Sequence, residues 1–517
     1  MLNPAPPGTD SLTRDLMRAM QRGRVSSDDA DRVAYARDLW PRQQIRTRAG
    51  EAAIAPPAVV VWPERTEEVA SVVRFAYERG LPIVPFGAGS GVCGGILPTP
   101  DAIVLDLKRL RRLRYVDEAM LRARVEAGIL GQHLEDELDA RGYTLGHFPS
   151  SIYCSTLGGW IAGRSAGQCS GRYGKIEDMV LGLDFVDGTG RIHRIHRDGE
   201  DAALLPLVIG SEGILGVVTE AELRIAPAAR ERVFAGFVFP DVSSGLDAIR
   251  RIYQSGLRPA VARLYDPFDS FMKRRGSVKS KVRPDRPKPT SPAKALGMKA
   301  LVAALEHAQA LNRLVDLAPD RVLGGATLVL VWECDRELGE VEREEAKRIA
   351  LDLAAKDLGE EPARHWLAHR HSVSYRQSPI FRAGAFSDTM EVSARWSRLE
   401  ALYDAVRKAL GKHVFVMAHF SHAYPDGGSI YFTFAGAAKD DAEAMEIYDR
   451  AWADALAAAV DAGGSLSHHH GVGRSKAPFM RAEQGEAVGW VADLKRTLDP
   501  KSLFNRGTLI PEEVLRG

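Results

Sequence analysis

The stretch PFGAGSG at residues 85–91 directly follows an apolar run that is typical of a strand, and Gly94 and Gly95 come soon after it. Glycine lets successive backbone N–H groups approach a phosphate because no Cβ stands in the way. The spacing matches neither GxGxxG nor GxxxxGK[ST], so it supports neither a Rossmann turn nor a P-loop. We predict an anion cradle here, while a flexible glycine turn remains the alternative for this loop taken alone.

Two further stretches of small residues lie in the same part of the chain. SSIYCSTLGGWIAGRSAG covers residues 150–167 with Arg164 as its only charge, and SEGILGVV covers residues 211–218. Each lies beside a predicted strand. Three such loops in one domain favour a long ligand, with a diphosphate and a flat ring, that is held mostly by backbone groups. A ligand of this kind has the size of a flavin nucleotide.

The surrounding pattern predicts alternating strands and helices in two domains. The first domain starts like a βαβ unit, after charged residues 11–50 that predict helices packed outside its core. Its predicted elements are strands at 59–62, 81–85 and 103–107 and helices at 66–79 and 131–141. A second domain begins near residue 230, with strands at 233–239 and 261–265 around a helix at 243–256.

Residues 273–294 differ from the rest of the second domain. They hold nine Lys or Arg residues against Asp285 alone, and four prolines exclude a continuous helix. We expect a mobile basic loop followed by an amphipathic helix at 295–311. A solvated insertion is the plain interpretation. Contact with a phospholipid surface is the sharper one, because the loop adjoins an apolar helix face.

The composition excludes several classes of protein. The chain has 517 residues, of which 45% are apolar and 26% charged, so a peptide hormone, a disulfide knot and a coiled coil are excluded. The net charge of +1 provides no general field for nucleic acid. Four cysteines without CxxC spacing predict reduced thiols in a cytosolic protein. No run of about 20 uncharged residues predicts a membrane span.

Taken together, these motifs resemble the FAD-binding domain of the vanillyl-alcohol oxidase family. The resemblance rests on VVVWPERTEEVASVV, PFGAGSG, STLGGWIAGRSAG, RYGKIEDMVLGL and GSEGILGVVTEAELRI. GHFP at 146–149, RLYD at 263–266, YFTF at 431–434 and HHHGVG at 468–473 make the chain similar to the alkyldihydroxyacetonephosphate synthase (alkylglycerone-phosphate synthase) branch. The resemblance runs from about residue 57 to the C-terminus.

The resemblance implies an α+β fold: a PCMH-type FAD-binding domain of two α+β subdomains, and an α+β cap domain with an antiparallel sheet. We divide the chain accordingly into an N-terminal helical segment (1–53), the FAD-binding domain (54–229), the cap domain (230–462) and a C-terminal segment that returns to the flavin (463–517). FAD is the implied cofactor. Ser90 stands where some covalent members have histidine, so we expect noncovalent FAD, with His422 as the remaining candidate for attachment.

The residues that the resemblance implies for FAD binding lie in the three small-residue stretches. They are Pro85, Phe86, Gly87, Ala88, Gly89, Ser90, Gly91, Ser150, Ser151, Ile152, Tyr153, Cys154, Ser155, Thr156, Gly163, Arg164, Ser165, Ala166, Glu212, Gly213, Ile214, Leu215, Gly216, Val217 and Val218. No metal site is expected.

The implied activity exchanges the acyl group of acyl-dihydroxyacetone phosphate for a fatty alcohol with no net redox change, which forms the ether bond of ether lipids. Tyr431 matches the acid/base tyrosine of the branch and lies on an alternating strand. His468, His469 and His470 match its histidine run, and we expect at least one of them to titrate near neutrality. His147 matches a further important position.

Each of these residues has a plainer interpretation. A lone strand tyrosine is more often a packed core residue. Three consecutive histidines could form a fortuitous metal patch, although adjacent side chains point in different directions.

Substrate binding is implied for Arg382, expected on a cap strand, and for Arg263, which could equally form a structural ion pair. One departure concerns His419, because the synthase branch tends to have a second arginine there. An imidazole would hold phosphate less firmly than a guanidinium. The same stretch resembles the histidine-rich strand of FAD-dependent D-2-hydroxy acid dehydrogenases. A D-lactate or glycolate dehydrogenase or oxidase is therefore the alternative function, and a noncatalytic flavin or lipid carrier is the least favoured one.

For partners, we expect a small lipid substrate and no nucleic acid. The basic loop predicts peripheral contact with the inner face of a membrane by an otherwise cytoplasmic protein, and a homodimer is compatible with the sequence.

Overall fold

The computed structural model describes residues 8–48, 55–277, 292–318, 323–371 and 378–516. Most of the predicted basic loop, residues 278–291, lies outside the described residues. Its two ends are described and are helical, so the expectation of a loop is wrong at residues 273–277 and 292–294.

The first sheet contains the predicted βαβ unit. Strand Val59–Trp62 is an unbroken apolar run, and all four of its residues are buried. It pairs in parallel with Ile103–Asp106, which pairs in parallel with Ile83–Phe86. Helix Thr66–Arg79 connects strand Val59–Trp62 to strand Ile83–Phe86 and covers the sheet with its apolar face. The predicted βαβ unit is therefore confirmed.

The expectation of helices alone at residues 11–50 is wrong at one place. Strand Arg24–Ser26 pairs antiparallel with Val59–Trp62 and forms the edge of the first sheet. With only three residues, it shows too little alternation to be recognised from its own sequence. The helices of this segment are Thr9–Ala19, Asp29–Ala34 and Pro41–Arg48.

The second sheet is antiparallel and completes the N-terminal domain. In spatial order its strands are Leu113–Asp117, Arg122–Glu126, Gly216–Arg224, Val180–Asp187 and Ile192–His196. A small ladder joins Tyr143–Thr144 to Ala226–Pro227. The remaining helices of this domain are Gly131–Asp139, Ile152–Cys154, Leu157–Ala162, Ser170–Tyr173, Ile176–Met179, Ala202–Leu204 and Leu205–Val208.

The cap domain is built on one antiparallel sheet of seven strands. Their spatial order is Lys356–Gly359, Val233–Phe239, Ala326–Trp332, Val261–Tyr265, Phe415–Ala423, Gly427–Gly436 and Phe386–Arg395. Two sheets in the first domain and an antiparallel cap sheet confirm the predicted α+β fold class.

Helices cover the cap sheet and account for two corrections. The described helices are Val242–Gln254, Pro267–Ser277, Pro292–Leu305, Ala308–Asp316, Arg336–Asp352, Glu361–His369, Ser378–Arg382, Trp396–Gly411 and Asp441–Asp461. The helix predicted at 295–311 is two helices, because His307 leaves the helical conformation at φ −111° and ψ 41°.

The start of the basic loop was wrong for an identifiable reason. Asp266 accepts a hydrogen bond from the backbone N–H of Asp269 at 2.7 Å and caps helix Pro267–Ser277, whose first residue is proline. Both features favour a helix start. The helix carries Lys273 back along the cap sheet, where it belongs to the site described below.

The C-terminal segment leaves the cap and packs on the N-terminal domain. Its helices are Gly473–Lys476, Ala477–Phe479, Met480–Gln484, Ala487–Leu498 and Glu512–Arg516. Leu503 and Phe504 are fully buried in the core of the first sheet. Among the described residues, the helices are too short or too polar to cross a lipid bilayer.

Candidate active site

The register of the cap sheet places four aromatic or ionisable side chains in one row. Tyr265 pairs with His419, His419 with Tyr431, and Tyr431 with Glu391, across four adjacent strands. Directly paired residues point to the same face of a sheet. The rings of His419 and Tyr431 accordingly stack with centroids 4.9 Å apart. This face of the cap sheet forms one wall of the candidate site.

A β-bulge brings His422 to the same face. The register shifts between Phe420 and His422, so His422 pairs with Ser429 although it is three residues from His419. Such an extra residue re-aims a side chain that regular alternation would turn away. Its Nδ1 lies 3.0 Å from the hydroxyl of Ser170 in the N-terminal domain. His422 therefore joins the cap to the other domain.

Glu391 holds the histidine run, and the sequence analysis missed it. Its carboxylate accepts hydrogen bonds from the backbone N–H groups of His468 at 2.7 Å and His470 at 2.8 Å. It also accepts from the hydroxyl of Ser467 at 2.9 Å. Burial opposes ionisation, but Lys476, 3.5 Å away, helps to keep the pKa of Glu391 well below its ordinary value. A buried carboxylate thus fixes the backbone that carries the three imidazoles.

A second buried carboxylate holds the other end of the same segment. Glu212, in the third small-residue loop, accepts hydrogen bonds from the backbone N–H groups of Val472 and Gly473, the latter at 2.8 Å. Gly471 has φ +81°, and a Cβ there would lie 2.9 Å from a Glu212 oxygen. The HHHGVG segment is therefore held between a cap carboxylate and a carboxylate of the N-terminal domain. Its last glycines are needed for that close approach.

Tyr431 contacts two of the histidines. Its hydroxyl forms a hydrogen bond with Nε2 of His470 and lies 3.4 Å from Nε2 of His469. Burial and the charge of Glu391 raise the pKa of Tyr431 far above its ordinary value. The phenol is consequently protonated at neutral pH, and it donates to His470 in the tautomer that carries the imidazole proton on Nδ1.

The expectation that a histidine of the run titrates near neutrality is wrong. Burial lowers the pKa of His468 and His469 to about 3 and that of His470 to about 4. All three are neutral at pH 7, and a neutral imidazole offers one donor and one acceptor nitrogen. The described residues include no group of three or more His, Cys, Asp or Glu side chains that could hold a metal ion.

His147 approaches the run from the N-terminal domain. It is fully buried, packs on the ring of Trp160 at 4.6 Å and lies 2.8 Å from the hydroxyl of Ser165 through Nε2. Burial, with a further contribution from His469, lowers its pKa to about 3. Its Nδ1 has no protein partner among the described residues, so it keeps one free polar atom in a buried position.

The two predicted substrate arginines lie in different surroundings. Arg263 is on strand Val261–Tyr265, and its guanidinium hydrogen-bonds Nε2 of His419. Arg382 ends helix Ser378–Arg382 and is exposed, so its expected position on a cap strand is wrong. The structure joins Arg263 to the row on the cap sheet and gives no contact between Arg382 and that row.

The three small-residue loops meet at one place. A Cβ on Gly87 would lie 2.4 Å from Oγ1 of Thr156, and one on Gly213 would lie 3.2 Å from the ring of Pro85. Only a chain without side chains at these points allows so close an approach. Within the described residues, the backbone N–H groups of residues 87–90 donate to no protein acceptor. Free N–H groups on a glycine loop suit a diphosphate.

Residues outside the predicted list support this cradle. Lys108 donates to the carbonyl of Gly87 at 2.8 Å, and Asp38 accepts from the N–H of Gly95 at 3.1 Å. The amide of Asn505 donates to the carbonyls of Gly95 at 2.6 Å and Glu212 at 2.7 Å. The N-terminal and C-terminal segments therefore both fix the loops, through contacts too distant in sequence to predict.

Part of the predicted FAD-binding list belongs to the hydrophobic core. Ile152, Ile214 and Leu215 are at most 1% exposed and pack in the core of the second sheet. Val217 is equally buried in the core of the first sheet. These residues could meet a ligand through their backbone only, whereas the residues of the first loop are partly open.

Comparison with known proteins gives this arrangement a family. The FAD binding domain family matches residues 57–196, and the family of FAD linked oxidases, C-terminal domain, matches residues 228–509. The chain thus has an FAD-binding domain, and the converging loops fit FAD as cofactor. Noncovalent attachment stays a prediction.

Three similar proteins extend over nearly the whole chain. Alkyldihydroxyacetonephosphate synthase of Dictyostelium discoideum is 29% identical over 515 residues, which cover 97% of this chain and 80% of that protein. Glycolate oxidase subunit GlcD of Bacillus subtilis (strain 168) is 24% identical over 98% of both chains. A solved structure of alkyldihydroxyacetonephosphate synthase in P212121 superposes with a TM-score of 0.75 at 25% identity, covering 98% of this chain and 86% of that one.

Proposed function

Because this chain belongs to the FAD-linked oxidases, we propose that it acts as an alkyldihydroxyacetonephosphate synthase. It exchanges the acyl group of acyl-dihydroxyacetone phosphate for a fatty alcohol and so forms the ether bond of ether lipids. The observation that carries this proposal is the hydrogen bond between the hydroxyl of Tyr431, on the site face of the cap sheet, and Nε2 of His470. When bound, FAD supplies the ring that activates the substrate carbon.

The proton chemistry follows from the protonation states of this pair. A proton at the substrate carbon must leave and return in each turnover. The Tyr431 phenol is protonated and His470 is neutral, because burial shifts their pKa values in opposite directions. Tyr431 takes the substrate proton as it passes its own proton to Nε2 of His470, and the transfer is reversed when the alkoxy group has entered.

Rigid positioning distinguishes this pair from a chance contact. Tyr431 is fixed by strand pairing on both sides, and His470 by the bond from its backbone N–H to Glu391. Since Glu391 and Tyr431 are themselves paired across the sheet, one register sets both halves of the proton path. A positioned acid/base pair needs this kind of support.

A D-2-hydroxy acid dehydrogenase or oxidase is the second candidate. His419 favours it, because the site has an imidazole where the synthase branch tends to have an arginine. The similarity to a glycolate oxidase subunit over 98% of both chains points the same way. A dehydrogenase of this kind would accept electrons from its substrate and leave FAD reduced.

The experiment separates the two candidates by substrate. The holoenzyme is incubated with acyl-dihydroxyacetone phosphate and labelled hexadecanol, and the labelled ether product is measured. The same preparation is mixed anaerobically with D-lactate or glycolate while the absorbance of its FAD is followed. Ether product with no bleaching by the hydroxy acids supports the synthase, and bleaching without ether product overturns it.

We further propose that residues 278–291 bind the protein to a membrane surface. The lipid substrate would reach the enzyme at that surface. These residues contain Lys279, Lys281, Arg283, Arg286 and Lys288. The helix that follows exposes Leu296 and Leu301. Each Lys or Arg near an anionic surface contributes about 1 kcal/mol. Equal binding to anionic vesicles after deletion of residues 278–291 would contradict this proposal.

A further inference from the structure

Two cations lie near the ring of Tyr265, at one end of the row on the cap sheet. Nζ of Lys273 lies 3.5 Å from the ring centroid of Tyr265, and the guanidinium carbon of Arg263 lies 5.5 Å from it. Tyr265 is the cap-sheet neighbour of His419, which stacks on Tyr431. Lys273, which the sequence analysis counted as part of the basic loop, therefore stands close to the reacting groups.

The carboxylates near these cations are bonded to groups other than Arg263. Asp269 accepts from Lys273 at 2.7 Å and lies 3.6 Å from Nδ1 of His419. Among the described residues, Arg263 has no carboxylate partner, and its Nε is buried without an acceptor. The remaining carboxylate in this corner, Asp266, accepts instead from the backbone N–H groups of Ala418 and Asp269. Neither carboxylate of this corner is therefore bonded to Arg263.

His419 adds no charge to this cluster. Burial and the charge of Arg263 lower its pKa to about 3, so the imidazole is neutral at pH 7. With Nε2 accepting from Arg263, its Nδ1–H faces Asp269. This tautomer orients the guanidinium and leaves the other donors of Arg263 available.

Lys273 is accessible to a ligand although it is bonded to Asp269. Of its side-chain surface 44% is accessible, compared with 9% for Asp269. Desolvation and the charge of Arg263 lower the pKa of Lys273 to about 8 against the opposing effect of Asp269. An ammonium group has three donors, and the bond to Asp269 uses one.

We propose that Lys273 and Arg263 together bind the phosphate of the three-carbon substrate, while neutral His419 positions the guanidinium. This inference rests on the proposed function, since it names the part of the substrate that this corner holds. A phosphate dianion requires more than one cation, and the fork of Arg263 with the point charge of Lys273 supplies two. Position 419 is an imidazole and provides no cation. Lys273, on the helix that follows strand Val261–Tyr265, provides it instead.

The test uses the FAD-loaded enzyme and glycerol 3-phosphate as a non-reacting phosphate monoester, with binding measured by isothermal titration calorimetry. We expect K273M to raise the dissociation constant about 10- to 100-fold, which is the effect of losing a hydrogen bond between charged groups. K273R should recover most of the affinity. K412M, at an exposed lysine of the same domain, is the matched control and should bind as the unchanged enzyme does.

Kinetics separate binding from a general structural effect. K273M should raise the KM for acyl-dihydroxyacetone phosphate by a similar factor and change kcat by only a few-fold, because Tyr431 and His470 remain in place. If K273M instead lowers kcat by about 10- to 100-fold and leaves KM unchanged, the inference is overturned.

The outcomes also distinguish this inference from the function on which it rests. If the unchanged enzyme forms ether product but K273M binds glycerol 3-phosphate equally well, the inference is wrong and the synthase proposal stands. If no ether product forms but glycerol 3-phosphate binds and K273M abolishes binding, the anion site stands and the synthase proposal fails. If the enzyme binds D-lactate through Lys273 and no phosphate ester, the site takes a carboxylate and the inference is overturned.

Discussion

The glycine cradle of the N-terminal domain and the row of side chains on the cap sheet are built in opposite ways. The cradle consists of backbone groups from three short stretches, such as Gly87 against Thr156, and each stretch is recognisable by its own composition. The row consists of side chains from four strands, brought together by register, as with Tyr431 opposite Glu391. Cofactor binding should therefore tolerate changes in the row, and catalysis should not.

The largest expected effect is that of Tyr431→Phe. The ring and its stacking on His419 remain, and only the hydroxyl that donates to His470 is lost. Turnover in acyl-for-alkoxy exchange should fall by ~10²–10⁴, the range for a lost acid/base group, while FAD content is unchanged. Tyr253→Phe is the control, because Tyr253 also loses a buried hydroxyl bond, to the carbonyl of Pro259 at 3.1 Å, away from the row. Loss of FAD together with activity would contradict the separation of cradle and row.

Glu391→Gln tests whether a carboxylate positions the histidine run. The amide keeps the size of the side chain but has one acceptor oxygen in place of two, so the N–H group of either His468 or His470 faces a donor. We expect kcat to fall by roughly 10²-fold, since a shifted base loses its alignment. Glu342→Gln, which removes a carboxylate bonded to Trp332 at 2.8 Å, serves as control. Equal kcat for both variants would show that Glu391 is structural only.

The buried histidines predict a loss of stability in mild acid. His468, His469 and His147 have pKa values near 3 in the folded protein, below the ordinary value of 6.5. In the unfolded chain these histidines bind protons below about pH 6.5, whereas in the folded protein they do so only near pH 3 to 4. The free energy of unfolding should fall by about 2 kcal/mol per histidine between pH 7 and pH 5.

Urea unfolding of the holoenzyme at both pH values measures this change. His468→Gln, which cannot take up a proton there, should reduce the pH dependence. Buried carboxyls such as Glu135 and Asp388, whose pKa values are raised to about 7, change stability in the opposite direction but do so equally in both proteins. An equal pH dependence in His468→Gln and the unchanged enzyme would contradict the assignment of a neutral, buried imidazole at this position.

The smallest effect is expected in the cradle. A Cβ on Gly87 would meet Thr156 at 2.4 Å, so Gly87→Ala should push the first loop from the second and weaken FAD binding by about 10-fold. Gly489→Ala, where nothing lies within 4 Å, is the matched control. The FAD released on heating each variant is measured by fluorescence. If both variants retain equal amounts of FAD, FAD binding does not depend on close contact between the first and second small-residue loops.

The difference between the cradle and the row also explains which features the sequence could predict. The strands Val59–Trp62 and Val233–Phe239 and the helix Thr66–Arg79 were predicted at their observed bounds, because each has a strong local pattern. The cradle was located for the same reason. Tyr431 and the histidine run were located only through a family resemblance, because a tyrosine on a strand has no distinguishing local signal.

Other parts of the site depend on contacts between distant residues. Glu391 lies 77 residues from His468, and no sequence pattern joins them. Arg382 was expected on a strand and is the exposed end of a helix. Lys273 was placed in a loop because its neighbours are basic, although Asp266 followed by a proline already indicated a helix start. That signal alone could have placed Lys273 on a helix and not in a loop.

The central claim is that this chain uses FAD for a transfer with no net redox change. It is tested most directly by counting turnovers anaerobically, with no electron acceptor, with acyl-dihydroxyacetone phosphate and labelled hexadecanol in large excess over the holoenzyme. The account predicts many ether products per bound FAD, with the absorbance of oxidised FAD intact at the end. Absence of ether product, or product that stops at one per FAD with the absorbance bleached, would contradict it.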